Sequence, residues 1–211
     1  MKQVNQVWLP DEEEEMSKFL LQGTVNGKGV YQYNKLRAAM QYVKNWDYAV
    51  DVGAHCGLWA MRLLEEFDEV FAFEPVERHR DCFKLNAPGA TLYDCALGNH
   101  TGKVRLAKGL KSTGDTHISK NGEYESELKT LDSFNLPGCD FMKLDCEGYE
   151  LFALQGGVKT LERFKPVLVV EQKPGKAKGF GLGDTEAITW LEKKGYKARE
   201  VISGDYILTC G

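Results

Sequence analysis

Apolar positions along the chain fall into two rhythms, and their order predicts an alternating α/β protein. Short apolar runs at Tyr48–Val52, Val70–Glu74, Ala90–Tyr93, Phe141–Asp145 and Val167–Glu171 have the length and continuity of buried parallel strands. Between them, Leu58–Glu66, Glu77–Asn86 and Glu150–Arg163 carry helical spacing, so strand and helix alternate from residue 47 onward. Two further helical patterns, Glu12–Leu21 and Lys35–Trp46, open the chain around a glycine- and aromatic-rich loop, Gly23–Tyr33. Residues 1–46 therefore read as an N-terminal helical extension covering a pocket, and 47–211 as the main domain. No repeat or low-complexity linker interrupts the pattern.

Two departures refine the fold. Gly102–Ala107 and Glu127–Leu131 look like short extra strands around a polar excursion, Lys108–Tyr124. After a helix at Thr185–Lys194, the runs Tyr196–Ile202 and Asp205–Thr209 flank Ser203-Gly204, a hairpin signal. A mostly parallel, Rossmann-like sheet with helices on both faces and a C-terminal antiparallel hairpin is the architecture of class I methyltransferases.

Candidate chemistry sits at the predicted strand ends. The first strand runs into Asp51-Val-Gly53-Ala54-His55-Cys-Gly57, and the second ends in Phe73-Glu74-Pro75. In an open parallel sheet such ends face the ligand crevice, and an acid after the second strand can accept from both hydroxyls of a ribose. The loop departs from the dinucleotide G-x-G-x-x-G pattern and opens on an acid, which repels a pyrophosphate but suits an ammonium. S-adenosylmethionine, which carries an ammonium and a sulfonium and no phosphate, is the ligand expected. His55 reads as a hydrogen-bond donor to the methionine carboxylate, and His79, His100 and His117 as surface or loop residues.

Asp145, Glu147 and Glu150 crowd the end of the fourth strand and Glu171 ends the fifth. Repulsion among clustered carboxylates lifts at least one pKa toward a catalytically useful range. Asp145 and Glu171 are the catalytic candidates; Glu150 reads as a first-turn helix acid. Lys143, inside an apolar run, needs a partner such as Asp132 or a substrate anion. Lys173–Gly183, with four glycines and three lysines, reads as a mobile basic loop over a negatively charged or sugar acceptor.

Bulk properties narrow the class. A net charge of −4 and pI near 5.7 argue against nucleic-acid binding. The chain has neither a bilayer-length apolar run nor a signal-peptide-like start, so a cytoplasmic protein is expected. Six scattered cysteines show no zinc or redox spacing, and no bound metal is expected.

The blocks Val50–Gly57, Phe73–Pro75, Cys95-Ala-Leu-Gly98, Thr130-Leu-Asp132, Met142-Lys-Leu-Asp-Cys-Glu-Gly-Tyr-Glu150 and Glu171 together resemble the FkbM family of S-adenosylmethionine-dependent methyltransferases. His55 and Cys146 depart from it, where asparagine and a small apolar residue are usual. The resemblance implies methyl transfer to a hydroxyl of a small molecule or glycan. It implies cofactor contacts from Asp51, Gly53, Ala54 and His55, from Glu74 and Pro75 at the ribose, from Cys95 and Ala96 at the adenine, and from Asp145. Two other readings stand beside it: a Mg²⁺-assisted transferase using Asp145, Glu171 and Gln172 as oxygen ligands, and a catalytically silent cofactor-binding scaffold.

Overall fold

The computed structural model describes residues 1–109 and 112–211, so part of the Lys108–Tyr124 excursion, at positions 110 and 111, lies outside the described residues. Its centre is a seven-stranded sheet. In chain order the strands are β5 (Tyr48–Val52), β6 (Glu69–Phe73), β7 (Thr91–Tyr93), β12 (Phe141–Leu144), β13 (Val167–Glu171), β14 (Tyr196–Ile202) and β15 (Asp205–Cys210). Across the sheet they run β14-β15-β13-β12-β5-β6-β7, and β15 alone runs antiparallel to the rest. The turn at Ser203-Gly204 has positive φ at both residues (51° and 88°), the hand that matches strand twist in a two-residue hairpin.

Helices α3 (Ala60–Leu63), α4 (Glu77–Asn86), α5 (Glu150–Gln155), α6 (Val158–Phe164) and α7 (Glu186–Lys193) cover the sheet. Alternate strand residues feed two cores. Ala49, Val70, Phe141 and Val169 pack toward α3, α4 and the N-terminal segment. Val50, Phe71, Met142 and Leu168 pack toward α5, α6 and α7. Because both faces are covered, these strands are buried nearly throughout, which is why they read as continuous apolar runs.

The remaining elements lie around this frame. The N-terminal segment holds two small hairpins, β1–β2 (Lys2–Val4, Val7–Leu9) and β3–β4 (Thr24–Val25, Lys28–Gly29), with α1 (Glu15–Leu20) and α2 (Tyr33–Met40). It is anchored by a buried ion pair, Lys35 Nζ to Asp205 at 2.7 Å, and by Asn86, whose amide exchanges hydrogen bonds with Trp8 and donates to Cys56 O. A second sheet, β10-β9-β11-β8, is formed by β8 (Cys95–Leu97), β9 (Gly102–Ala107), β10 (His117–Ile118) and β11 (Tyr124–Lys129).

The single helix expected over Glu150–Arg163 is two. The chain breaks at Gly156-Gly157, where a Cβ on Gly156 would stand 1.9 Å from the backbone oxygen of Gly98. Close approach of two backbones, rather than helical continuity, decides that position. Gly156→Ala should therefore destabilise the fold by about 3 kcal/mol or more, since backbone must move. Gly179→Ala, with no atom within 4 Å of the added carbon, should be close to neutral; thermal or denaturant unfolding of the two variants reads the difference.

Candidate functional site

At the crevice where the chain turns from β5 to β6 on one side and from β12 to β13 on the other, two clefts meet. The first, about 580 Å³, is walled by Phe73, Val76, Ala96, Leu97, Leu106 and Ile118, with Glu74, His79 and Asp145 as polar groups. The second, about 940 Å³, is lined by Phe19, Tyr31, Trp59, Lys143, Glu171 and Lys173, among others. Gly53, His55, Gly114 and Asp145 border both. A bipartite site at the topological switch point is where an open α/β sheet binds ligands.

The loop after β5 is shaped from within. Gly53 has φ 73°, and a Cβ there would stand 1.9 Å from Asp145 O, so the glycine lets the loop abut the β12 loop. Gly57, also at positive φ, leaves room for the Phe83 ring. His55 holds the left-handed conformation (φ 49°), which explains why asparagine suits this position, and its N–H donates to Glu74 Oε2 at 2.8 Å. Glu74 Oε1 accepts from Val76 N at 2.9 Å and lies 3.1 Å from His79 Nδ1. Burial opposes the Glu74 charge, but His79 and the other donors outweigh it and hold its pKa below the ordinary value. His79, expected at the surface, is fully buried against this carboxylate.

Across the β5–β12 ladder Lys143 stands opposite Asp51. Its ammonium donates to Gly53 O at 3.0 Å and lies 3.5 Å from Asp51 and 3.6 Å from Asp145. Burial disfavours that charge, yet Asp145 and Asp51 more than compensate and raise the lysine pKa. Asp51 itself is raised by burial, with Lys143 pulling the other way. Asp132, the partner expected for Lys143, instead accepts from the N–H groups of Lys159 and Thr160 at the start of α6.

Carboxylate oxygens of Asp145, Glu147 and Glu171 lie within 4.8 Å of one another. Their environments separate them. Burial works against the Asp145 charge, but Lys143 and Lys173 lower its pKa overall. Burial and then the neighbouring Asp145 push Glu171 up to about 9, against the pull of Lys173. Glu147 is raised by the same two causes, with Lys176 opposing. Lys173 contacts Glu171, and Lys176 bridges Glu147 and Asp115, so these loop lysines turn inward instead of forming a free basic rim.

Glu150 does more than open a helix. It is buried and folds back to accept from Cys146 N and Gly148 N at 2.8 and 3.0 Å, shaping the loop that carries Asp145 and Glu147. Burial pushes it up to about 7. Gln172 donates to Glu150 and accepts from Ala187 N, so its amide is committed to the framework.

Of the cofactor residues expected from sequence, Gly53, His55, Glu74, Pro75, Ala96 and Asp145 line the first cleft and Ala54 the second. Asp51 lies buried behind the loop, and Cys95 packs in the apolar core beside Leu97. His117 borders the first cleft and His100 is exposed.

The fold is that of the Rossmann-like class I methyltransferases. The profile of the methyltransferase FkbM domain matches residues 51–198, and the chain belongs to the FkbM family of S-adenosylmethionine-dependent methyltransferases. Among solved structures it is similar to the methyltransferase FkbM from Methylobacillus flagellatus KT. That match has TM-score 0.56 and 18% identity, over 80% of this chain and 45% of that one. This chain thus spans under half of that protein's length. It also resembles precorrin 8w decarboxylase from Methanobacterium thermoautotrophicum, with TM-score 0.54 and 14% identity over 100% of both chains. Aeropyrum pernix fibrillarin, solved with natively bound S-adenosyl-L-methionine, matches with TM-score 0.52 and 12% identity over 88% of this chain and 79% of that one. No curated protein matches the chain by sequence. Among the described residues no helix is long and apolar enough to cross a membrane.

The raised Glu171 pKa makes a stability prediction. Between its ordinary value of 4.5 and about 9 the folded protein keeps a proton that the unfolded chain has released. Stability contributed by Glu171 is thus present below pH 4.5 and lost as pH rises through that window. Denaturant unfolding from pH 5 to 9 should show wild-type stability falling more steeply than that of Glu171→Gln, which has no proton to lose.

Proposed function

We propose that the chain is an O-methyltransferase that binds S-adenosylmethionine in the first cleft and a hydroxyl-bearing small molecule or sugar in the second. The observation that carries this reading is the meeting of the two clefts at Asp145. The lining of the first supports the cofactor: Phe73, Val76, Ala96 and Leu97 offer an apolar slot for adenine, and Glu74 offers acceptors to ribose hydroxyls. Among the described residues no lysine or arginine lines this cleft, so a pyrophosphate would face Glu74 and Asp145 uncompensated. Asp51 lies buried behind the loop, with the Lys143 ammonium 3.5 Å from its carboxylate. Cys95 supports the adenine wall from the core through its strand.

When bound, S-adenosylmethionine supplies a sulfonium methyl group open to in-line attack. The protein's share is to align the acceptor oxygen, exclude water and receive the hydroxyl proton. Asp145, kept ionised by Lys143 and Lys173, takes that proton, while Glu171, protonated at neutral pH, donates a hydrogen bond to the acceptor. Phe19 and Tyr31, edge to face at 5.9 Å, give the second cleft an aromatic flank suited to a sugar ring. Residues 1–46 cover the site from that side. The metal-assisted reading is weaker, because lysine ammonium groups already contact Glu171 and Glu147 and Gln172 is committed elsewhere.

Isothermal titration should show binding of S-adenosylhomocysteine and none of NAD. Glu74→Ala should weaken that binding by about 1–3 kcal/mol through loss of a charged acceptor. In assays over a panel of hydroxylated acceptors, Asp145→Asn should lose about 10²-fold or more of kcat while remaining folded. Cofactor binding without turnover on any acceptor would favour the silent scaffold. Activity lost on chelation and restored by Mg²⁺ would favour the metal-assisted route.

A further inference from the structure

One buried carboxylate outside the clefts connects the N-terminal segment to the cofactor loop. Glu13 is fully buried, and its two oxygens accept four hydrogen bonds. Oε1 takes Met16 N at 3.0 Å; Oε2 takes Thr113 N at 2.7 Å, Thr113 Oγ1 at 2.6 Å and Ser112 Oγ at 2.9 Å. Burial opposes its charge, but these donors hold its pKa below the ordinary carboxylate value. An ionised carboxylate can only accept, so the Thr113 hydroxyl proton is committed to Glu13. Thr113 Oγ1 then has only lone pairs to offer its other neighbour, His55 Nε2, at 2.8 Å.

The consequence falls on the imidazole. Burial pushes the His55 pKa down to about 3, so the ring is neutral and carries one N–H. That proton must sit on Nε2 to reach Thr113, which leaves Nδ1 a bare lone pair. Nδ1 is buried and has no hydrogen-bond partner among the described residues, although His55 borders both clefts. A buried acceptor without a donor is costly, and a bound ligand can supply one.

We infer that Glu13 is a positioning residue which, through Thr113, fixes His55 in the Nε2–H tautomer so that Nδ1 accepts a hydrogen bond from the α-ammonium of the bound cofactor. This reverses the role expected of His55, since a bare Nδ1 cannot donate to the methionine carboxylate. The inference rests on reading the first cleft as the cofactor site. Glu13 lies outside the span that matches the family profile and lines neither cleft, so it acts only through its neighbours.

The test pairs imidazole ¹⁵N NMR with titration of S-adenosylhomocysteine. His55→Asn assigns the resonances. Wild-type His55 should show a protonated Nε2 and an unprotonated Nδ1, and the Nδ1 signal should move upfield on saturation with S-adenosylhomocysteine. Thr113→Val should abolish the fixed tautomer and weaken S-adenosylhomocysteine about tenfold, the scale of one hydrogen bond to a charged group. Thr113→Ser, which keeps the hydroxyl, should restore both. Glu13→Ala, checked for folding, should reproduce the Thr113→Val tautomer change. A protonated Nδ1 in the wild type overturns the relay, as does a folded Thr113→Val protein with unchanged tautomer. Wild-type binding of S-adenosylhomocysteine with an unmoved Nδ1 overturns the ammonium contact alone. Failure of the wild type to bind at all overturns the cofactor reading and that contact with it, while the tautomer still decides the relay.

Discussion

The site depends on one largely buried ammonium group. Lys143 faces Asp51 because β5 and β12 pair in a register that sets the two residues opposite each other, on the sheet face otherwise filled by Ala49 and Phe141. From there its single charge lies 3.5 Å from Asp51 and 3.6 Å from Asp145, and it holds Gly53 O, tying the loop after β5 to the β12 loop. The buried Asp51 and the partly exposed Asp145 thus share a single cation. The geometry at the switch point is therefore an electrostatic solution as much as a packing one, and Gly53 is the residue that lets the loops come close enough for it.

That arrangement also separates the acids into roles. Asp145 receives positive potential from Lys143 and Lys173, whereas Glu171 shares Lys173 but bears the repulsion of Asp145. Carboxylates a few ångströms apart are driven to opposite protonation states, the condition for one site to hold both an acceptor and a donor of protons. Glu150 contributes from behind: its backbone contacts hold Glu147 and Gly148 at positive φ, and so fix where the cluster points.

Much of this frame was legible in sequence because its signals are local. Apolar runs marked the sheet, the acid-opened glycine loop and Glu74 marked the crevice, and Ser203-Gly204 marked the hairpin. What escaped was set by tertiary neighbours. His79 sits in the first turn of α4, and only the path of the chain through Pro75 and Val76 turns its ring back onto Glu74. Lys143 was recognisable as a charge in need of a partner, but only strand register could choose Asp51 over Asp132. Glu150 had the look of an ordinary first-turn acid, and its burial came from the way the β12 loop folds over it. The break at Gly156 followed from a contact with Gly98, far away in the chain. The small N-terminal hairpins, two or three residues per strand, are too short to produce a period.

The division between what the family shares and what this chain adds follows the same line. The family profile begins at Asp51, so the preceding residues lie outside it, yet Met16, Phe19 and Tyr31 line the second cleft and Glu13 holds Thr113, which contacts His55. A shared sheet can place a methyl donor at its switch point in many proteins, while segments laid over it decide what is admitted beside the donor. In this chain the covering segment is joined to the sheet by buried polar contacts, Lys35 to Asp205 and Asn86 to Trp8, as well as by apolar packing. Such contacts are directional and fix position as well as proximity. The second cleft is thus held in register with the first by the same kind of interaction, a buried and partnered polar group, that Lys143 provides at the centre of the sheet.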